Sequence, residues 1–120
     1  MSILIVESDP ERGPCWQRHV EAEGQTVRLV ATQAAAVATL KTVDVRLIVL
    51  NLDLAGGGAL AVADFAHYRQ PDARVIFVTG RGLFADGSIF AHAANACAFL
   101  PADTAPADLA AMVSHYASAG

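Results

Sequence analysis

Five short stretches of this chain are almost free of polar residues: ILIV (3–6), TVRLV (26–30), RLIVL (46–50), RVIFV (74–78) and CAFL (97–100). Apolar residues follow one another there instead of alternating with polar ones, which marks strands covered on both faces, as in a parallel sheet. Between them lie segments of helix length whose apolar residues recur at helical spacing. Trp16 and Val20 share one face, Val37 and Leu40 another, and Leu60, Phe65 and Tyr68 a third within ALAVADFAHYR. Ile89, Phe90 and Ala93 suggest a fourth helix, and Leu109, Met112, Val113 and Tyr116 a fifth. The alternation of strand and helix predicts one α/β domain over residues 1–120, with five helices shared between the two faces of a five-stranded parallel sheet.

Some boundaries carry their own signals. Pro106 suits the first turn of the last helix, where its missing N–H costs nothing. Gly24 suits the end of the first, as a left-handed cap before the second strand. PERGPCW (10–16) is anomalous, because Gly13 and Pro14 would interrupt a helix begun at Pro10. Either that first turn is distorted or the helix starts with Pro14 in its first position.

A chain of 120 residues with 54% hydrophobic content fits one core and no second domain. The net charge of −4 argues against non-specific binding to nucleic acid or to an anionic membrane, both of which need basic surfaces. Lys41 is the only lysine. Cys15 and Cys97 belong to no CxxC pair, and MSILIVES enters a strand with no basic leader, so a reduced, cytoplasmic protein is expected. No apolar stretch reaches the roughly 20 residues of a membrane span. His19, His67, His92 and His115 fall in separate predicted helices without metal-ligand spacing. Trp16 reads as a core filler, and His19 as a partly buried, hydrogen-bonded imidazole.

In an open parallel sheet, chemistry gathers at the carboxyl ends of the strands. The residues there are Glu7, Ser8 and Asp9; Asn51 to Gly58; Thr79, Gly80 and Arg81; and Pro101, Ala102 and Asp103. With these in view, four pieces in order, ILIVESDPE, LIVLNLDLAGGGAL, VIFVTGR and ACAFLPAD, resemble the receiver domain of two-component response regulators, the CheY-like family. The resemblance runs over essentially the whole chain and implies the flavodoxin-like, doubly wound strand order 2-1-3-4-5.

It also implies a chemistry. Receivers accept a phosphoryl group from a histidine kinase on an aspartate, with Mg²⁺ held by that aspartate and an acidic pair. A lysine and a Ser/Thr hydroxyl neutralise and orient the phosphoryl oxygens. Glu7 matches the first acidic position, Thr79 the hydroxyl and Phe99 the switch aromatic. Ser8 stands at the second acidic position, Asn51 at the acceptor and Ala102 at the lysine. An amide oxygen is too weak a nucleophile to form an acyl phosphate. Residual metal candidates are Glu7, Asp9 and Asp53, but Asp9 suits a helix cap, and Asp53 would need a rearranged loop for its side chain to reach the pocket. Lys41 belongs at the opposite end of the sheet, and Arg81 carries a rigid fork in place of an ammonium.

These departures point to a degenerate receiver, a pseudo-receiver that is not an enzyme. It is expected to bind Mg²⁺ weakly or not at all, to need no cofactor, and to be stable without metal. As a stand-alone domain without an output domain it would act through protein contacts, with a histidine kinase, another regulator or a second copy of itself. Phe84, Phe90 and Tyr116 are candidates for such a surface, and Phe99 is expected to keep to a buried position. The blandest rival is a core-only α/β domain whose departures mean simple decay, and two sharper readings stand beside it. One is an active receiver phosphorylated on Asp53 or Asp9. The other is a dinucleotide-binding turn at Gly80, Gly82 and Ala85, with Asp103 about 20 residues on.

Overall fold

The computed structural model describes residues 2–80 and 94–118. The apolar runs form β1 (Ser2–Val6), β2 (Val27–Val30), β3 (Val45–Asn51), β4 (Arg74–Thr79) and β5 (Ala96–Pro101). The helices between and after them are α1 (Arg12–Ala22), α2 (Gln33–Thr42), α3 (Ala59–Arg69) and α4 (Pro106–Ser118). All strand pairs are parallel, and their order is β2-β1-β3-β4-β5, as the resemblance implied. The predicted fourth helix around Ile89 and Phe90 lies outside the described residues, so four helices are described where five were expected.

Alternate residues of each buried strand serve opposite faces, which explains the unbroken apolar runs. Leu4, Val6, Ile48, Leu50, Val75 and Phe77 pack under α2 and α3. Ile3, Ile5, Leu47, Val49, Ile76 and Val78 pack on the other side under α1 and α4. Trp16, only 2% exposed, fills that second layer as a core residue. His19 is half-buried and pairs through Nδ1 with the carbonyl of Cys15 at 2.9 Å, the hydrogen-bonded, partly buried state expected of it. No helix among the described residues is long and apolar enough to cross a membrane.

The start of α1 resolves the anomaly in a third way. The helix begins at Arg12, so Pro14 falls in the first turn, where no intrahelical N–H bond is lost. Gly13 is buried, and a Cβ there would come within 3.1 Å of Leu29 and 3.5 Å of the Glu7 carbonyl. Its missing side chain lets α1 settle closely over the carboxyl end of β1. Gly24 takes φ 89° after α1, and Pro106 opens α4, as expected.

α3 departs from its expected face. Its buried residues are the small ones, Ala59, Val62, Ala63 and Ala66, while Leu60 is 45% and Tyr68 82% exposed. Alanine lets a helix lie close to the sheet, so small residues hold the inner face; Leu60 and Tyr68 turn outward, while Phe65 is half-buried against the core. Just past this helix Gln70 ties three elements together. Its Nε2 donates to the carbonyls of Leu40 (2.8 Å) and Val43 (2.7 Å), and its Oε1 accepts from Val45 N (2.8 Å).

Candidate functional site at the carboxyl edge

Sheet register assembles the site. Val6 pairs with Leu50 and Asn51 with Val78, so the ends of β1, β3 and β4 lie side by side. Glu7 and Asn51 follow from this as neighbours, each 3% exposed. Asn51 Nδ2 donates to Glu7 Oε2, and Asn51 Oδ1 accepts from the Asp53 amide at 2.8 Å. Only one orientation of the carboxamide serves both partners, a donor toward the carboxylate and an acceptor toward the N–H. The second Glu7 oxygen accepts from Asp9 N at 3.2 Å and lies 3.6 Å from the Arg12 guanidinium. Arg12 thus supplies a positive charge beside Glu7. It stands five positions after Glu7 in sequence, and only the close seat of α1 brings it back.

The two residues after Glu7 each hold neighbouring backbone. Ser8 Oγ accepts from the Ala55 amide at 2.9 Å, which fastens the loop after β3. Asp9 Oδ1 accepts from Glu11 N (2.8 Å) and Arg12 N (3.0 Å), so it caps α1. Those two backbone bonds, first Arg12 and then Glu11, hold the Asp9 carboxyl below its ordinary value.

Asp53 corrects the sequence reading. Its Oδ2 accepts from Thr79 Oγ1 at 3.1 Å and from Gly80 N at 2.9 Å, so the side chain reaches the pocket without any rearrangement. The loop is already turned for it. Gly56, Gly57 and Gly58 all have positive φ, and Gly58 at φ 87° opens α3 with Gln33 packed where a Cβ would stand. Ala102 N donates to the Thr79 carbonyl at 3.0 Å, and the Ala102 methyl lies beside Gly80. A continuous string of contacts therefore runs from Arg12 through Glu7, Asn51 and Asp53 to Thr79 and Gly80.

As a donor set for Mg²⁺ this group is poor. Mg²⁺ asks for hard oxygens in octahedral array, yet Asn51 turns an N–H toward the buried Glu7 carboxylate. Among the described residues no three His, Cys, Asp or Glu side chains converge as a metal site requires; Glu7, Asp9 and Asp53 each serve a different partner.

The remaining candidates sit apart. Phe99 is half-buried and stacks on Phe77 with ring centroids 5.1 Å apart. Tyr116 is half-buried against His115. It borders a cleft of about 730 Å³ at the amino end of the sheet, with Arg46, Arg74 and Cys97, far from Asn51. Burial pushes the Cys97 thiol up to about 11, leaving it protonated at neutral pH. Phe84, Phe90, Arg81, Gly82 and Ala85 lie outside the described residues.

No protein-family model matches the chain, nor does any curated protein. Solved structures do. A response regulator receiver domain protein (CheY-like) from Methanospirillum hungatei JF-1 superposes with a TM-score of 0.86 at 24% identity, covering 98% of this chain and 94% of that one. The chain has the CheY-like receiver fold. The response regulator TrrA from Thermotoga maritima, in complex with Mg²⁺ and BeF, gives a TM-score of 0.81 at 18% identity over 97% of this chain and 99% of that one. A response regulator from Burkholderia pseudomallei with a phosphorylated aspartic acid gives 0.82 at 20%, over 98% of this chain and 69% of that one. At these identities the likeness carries architecture. The chemistry of this particular CheY-like fold must be read from Asn51 and its partners.

Proposed function

We propose that this domain serves two-component signalling as a receiver-like module in the cytoplasm that acts through protein–protein contacts and carries no phosphoryl group itself. One observation supports this above the others: the Asn51 carboxamide donates one N–H to Glu7 and accepts through its oxygen from Asp53 N. An amide so engaged offers phosphorus no nucleophile. With Ser8 fastened to the loop and Ala102 in the lysine position, Mg²⁺ binding is weak and the phosphoryl charge has little to balance it. No catalytic turnover is assigned. The partner is a protein, with a histidine kinase or another regulator the first choices.

A second reading has one contact in its favour. Asp53 lies against the Thr79 hydroxyl, where an unorthodox acceptor would belong. A single experiment separates the two. The protein is incubated with acetyl phosphate and Mg²⁺, then weighed intact and mapped by peptide. The proposal expects an unchanged mass. A phosphoryl group on Asp53 selects the second reading, and one on any other residue of the pocket removes the proposal as well.

A further inference from the structure

The end of β4 presents two donors to one point in space: the Thr79 hydroxyl, 1% exposed, and the Gly80 amide at the surface. Two converging donors, one a backbone N–H, make a site for an anionic oxygen. Asp53 Oδ2 occupies that point at 3.1 and 2.9 Å. Its own backbone N–H is held by Asn51, and the Ser8–Ala55 bond pins the loop two residues further on, so the carboxylate is delivered from a fixed base.

We propose that Asp53 serves as a tethered internal ligand, holding the two donors of Thr79 and Gly80 that would otherwise meet an oxyanion. This deepens the preceding proposal and rests on it, since an external phosphoryl group would compete with Asp53 for the same donors. The internal anion joins the loop after β3 to the end of β4 in one arrangement, so a partner meets a single form of this edge. An oxyanion from solution, such as sulfate or inorganic phosphate, enters only in the fraction of molecules whose Asp53 has swung away. Its apparent affinity falls by that fraction.

Removing the tethered carboxylate tests this. Asp53 is exposed, so Asp53→Ala leaves the core untouched, and Asp53→Asn keeps the shape without the charge as a second variant. Wild type, both variants and Asp53→Ala combined with Thr79→Val are titrated with sodium sulfate at constant ionic strength, against a chloride control. Binding is followed at the Gly80 amide by nitrogen-15 NMR. The proposal expects a saturable, sulfate-specific shift in the single variants, at least about tenfold tighter than in wild type, where a charge-assisted pair holds the two donors. The double variant loses that response. Equal responses in wild type and the single variants, no response in any, or the same response to chloride would overturn it. Failure here is distinguishable from failure of the preceding proposal, because the readout is non-covalent competition while that one concerns a covalent adduct measured by mass.

Discussion

Asn51→Asp lowers the stability of the metal-free domain by about 2–3 kcal/mol at pH 7, or roughly 8–12 °C in melting temperature for a chain of this length. The exchange alters almost no volume. It replaces a donor facing the Glu7 carboxylate with a second carboxylate, in a site where both residues are 3% exposed. Like charges in such a place hold one proton between them, so the variant's folded state raises a carboxyl pKa above its unfolded value. The penalty is absent well below pH 4, where both groups are protonated in either state, and grows as pH rises past the ordinary carboxylate range of about 4. Adding Glu7→Gln returns an amide to the pair and recovers most of the loss, a coupling visible in a double-mutant cycle. Millimolar Mg²⁺ also restores part of it, because the cation now finds two carboxylates. The variant is expected to take no phosphoryl group at this position, since Ser8 and Ala102 are unchanged. Chemical denaturation from pH 3.5 to 8 checks the whole profile, and a variant as stable as wild type at pH 7 would contradict it.

Gln70→Ala has an effect of similar size for an unrelated reason. The side chain satisfies the carbonyls of Leu40 and Val43 and the amide of Val45, joining the end of α3 to the α2–β3 turn. Truncation strips partners from three backbone groups at a half-buried position, at about 1 kcal/mol or more each, for a total of roughly 2–4 kcal/mol. Gln70→Glu is nearly as costly, because a carboxylate can accept from Val45 N but cannot donate to either carbonyl. Both are read from urea midpoints with unchanged slopes. A shift for Gln70→Ala within about 0.5 kcal/mol of zero would show that the turn holds itself.

The two cases differ in how much of them the sequence made legible. The strands could be read because burial on both faces removes polar residues altogether, and register then fixes which residues meet at the carboxyl edge. Glu7, Asn51, Thr79 and Ala102 were locatable for that reason. Contacts that depend on where a loop or helix turns back were not. Arg12 reaches Glu7 where Gly13 allows α1 to sit close, and Asp53 reaches Thr79 from a loop that Asn51 holds at the Asp53 amide and that goes on through three left-handed glycines. Neither appears as a spacing. Gln70 looks like an ordinary polar helix end until the turn it serves is seen. On α3, alanine blurs the apolar stripe, so the larger residues Leu60 and Tyr68 drew attention to the wrong face.

On the proposed function, the carboxamide at the tip of β3 keeps its bonds to Glu7 and to the Asp53 amide and does not yield the Glu7 carboxylate to a divalent cation. A titration of the wild-type protein with MgCl₂, followed at the Asn51 side-chain NH₂ resonances, tests it most directly. Those resonances should remain fixed, apart from the small drift that NaCl of equal ionic strength produces. A saturable, magnesium-specific displacement at millimolar concentration or below would mean that Glu7 gives up the amide for the metal, and the account would fail.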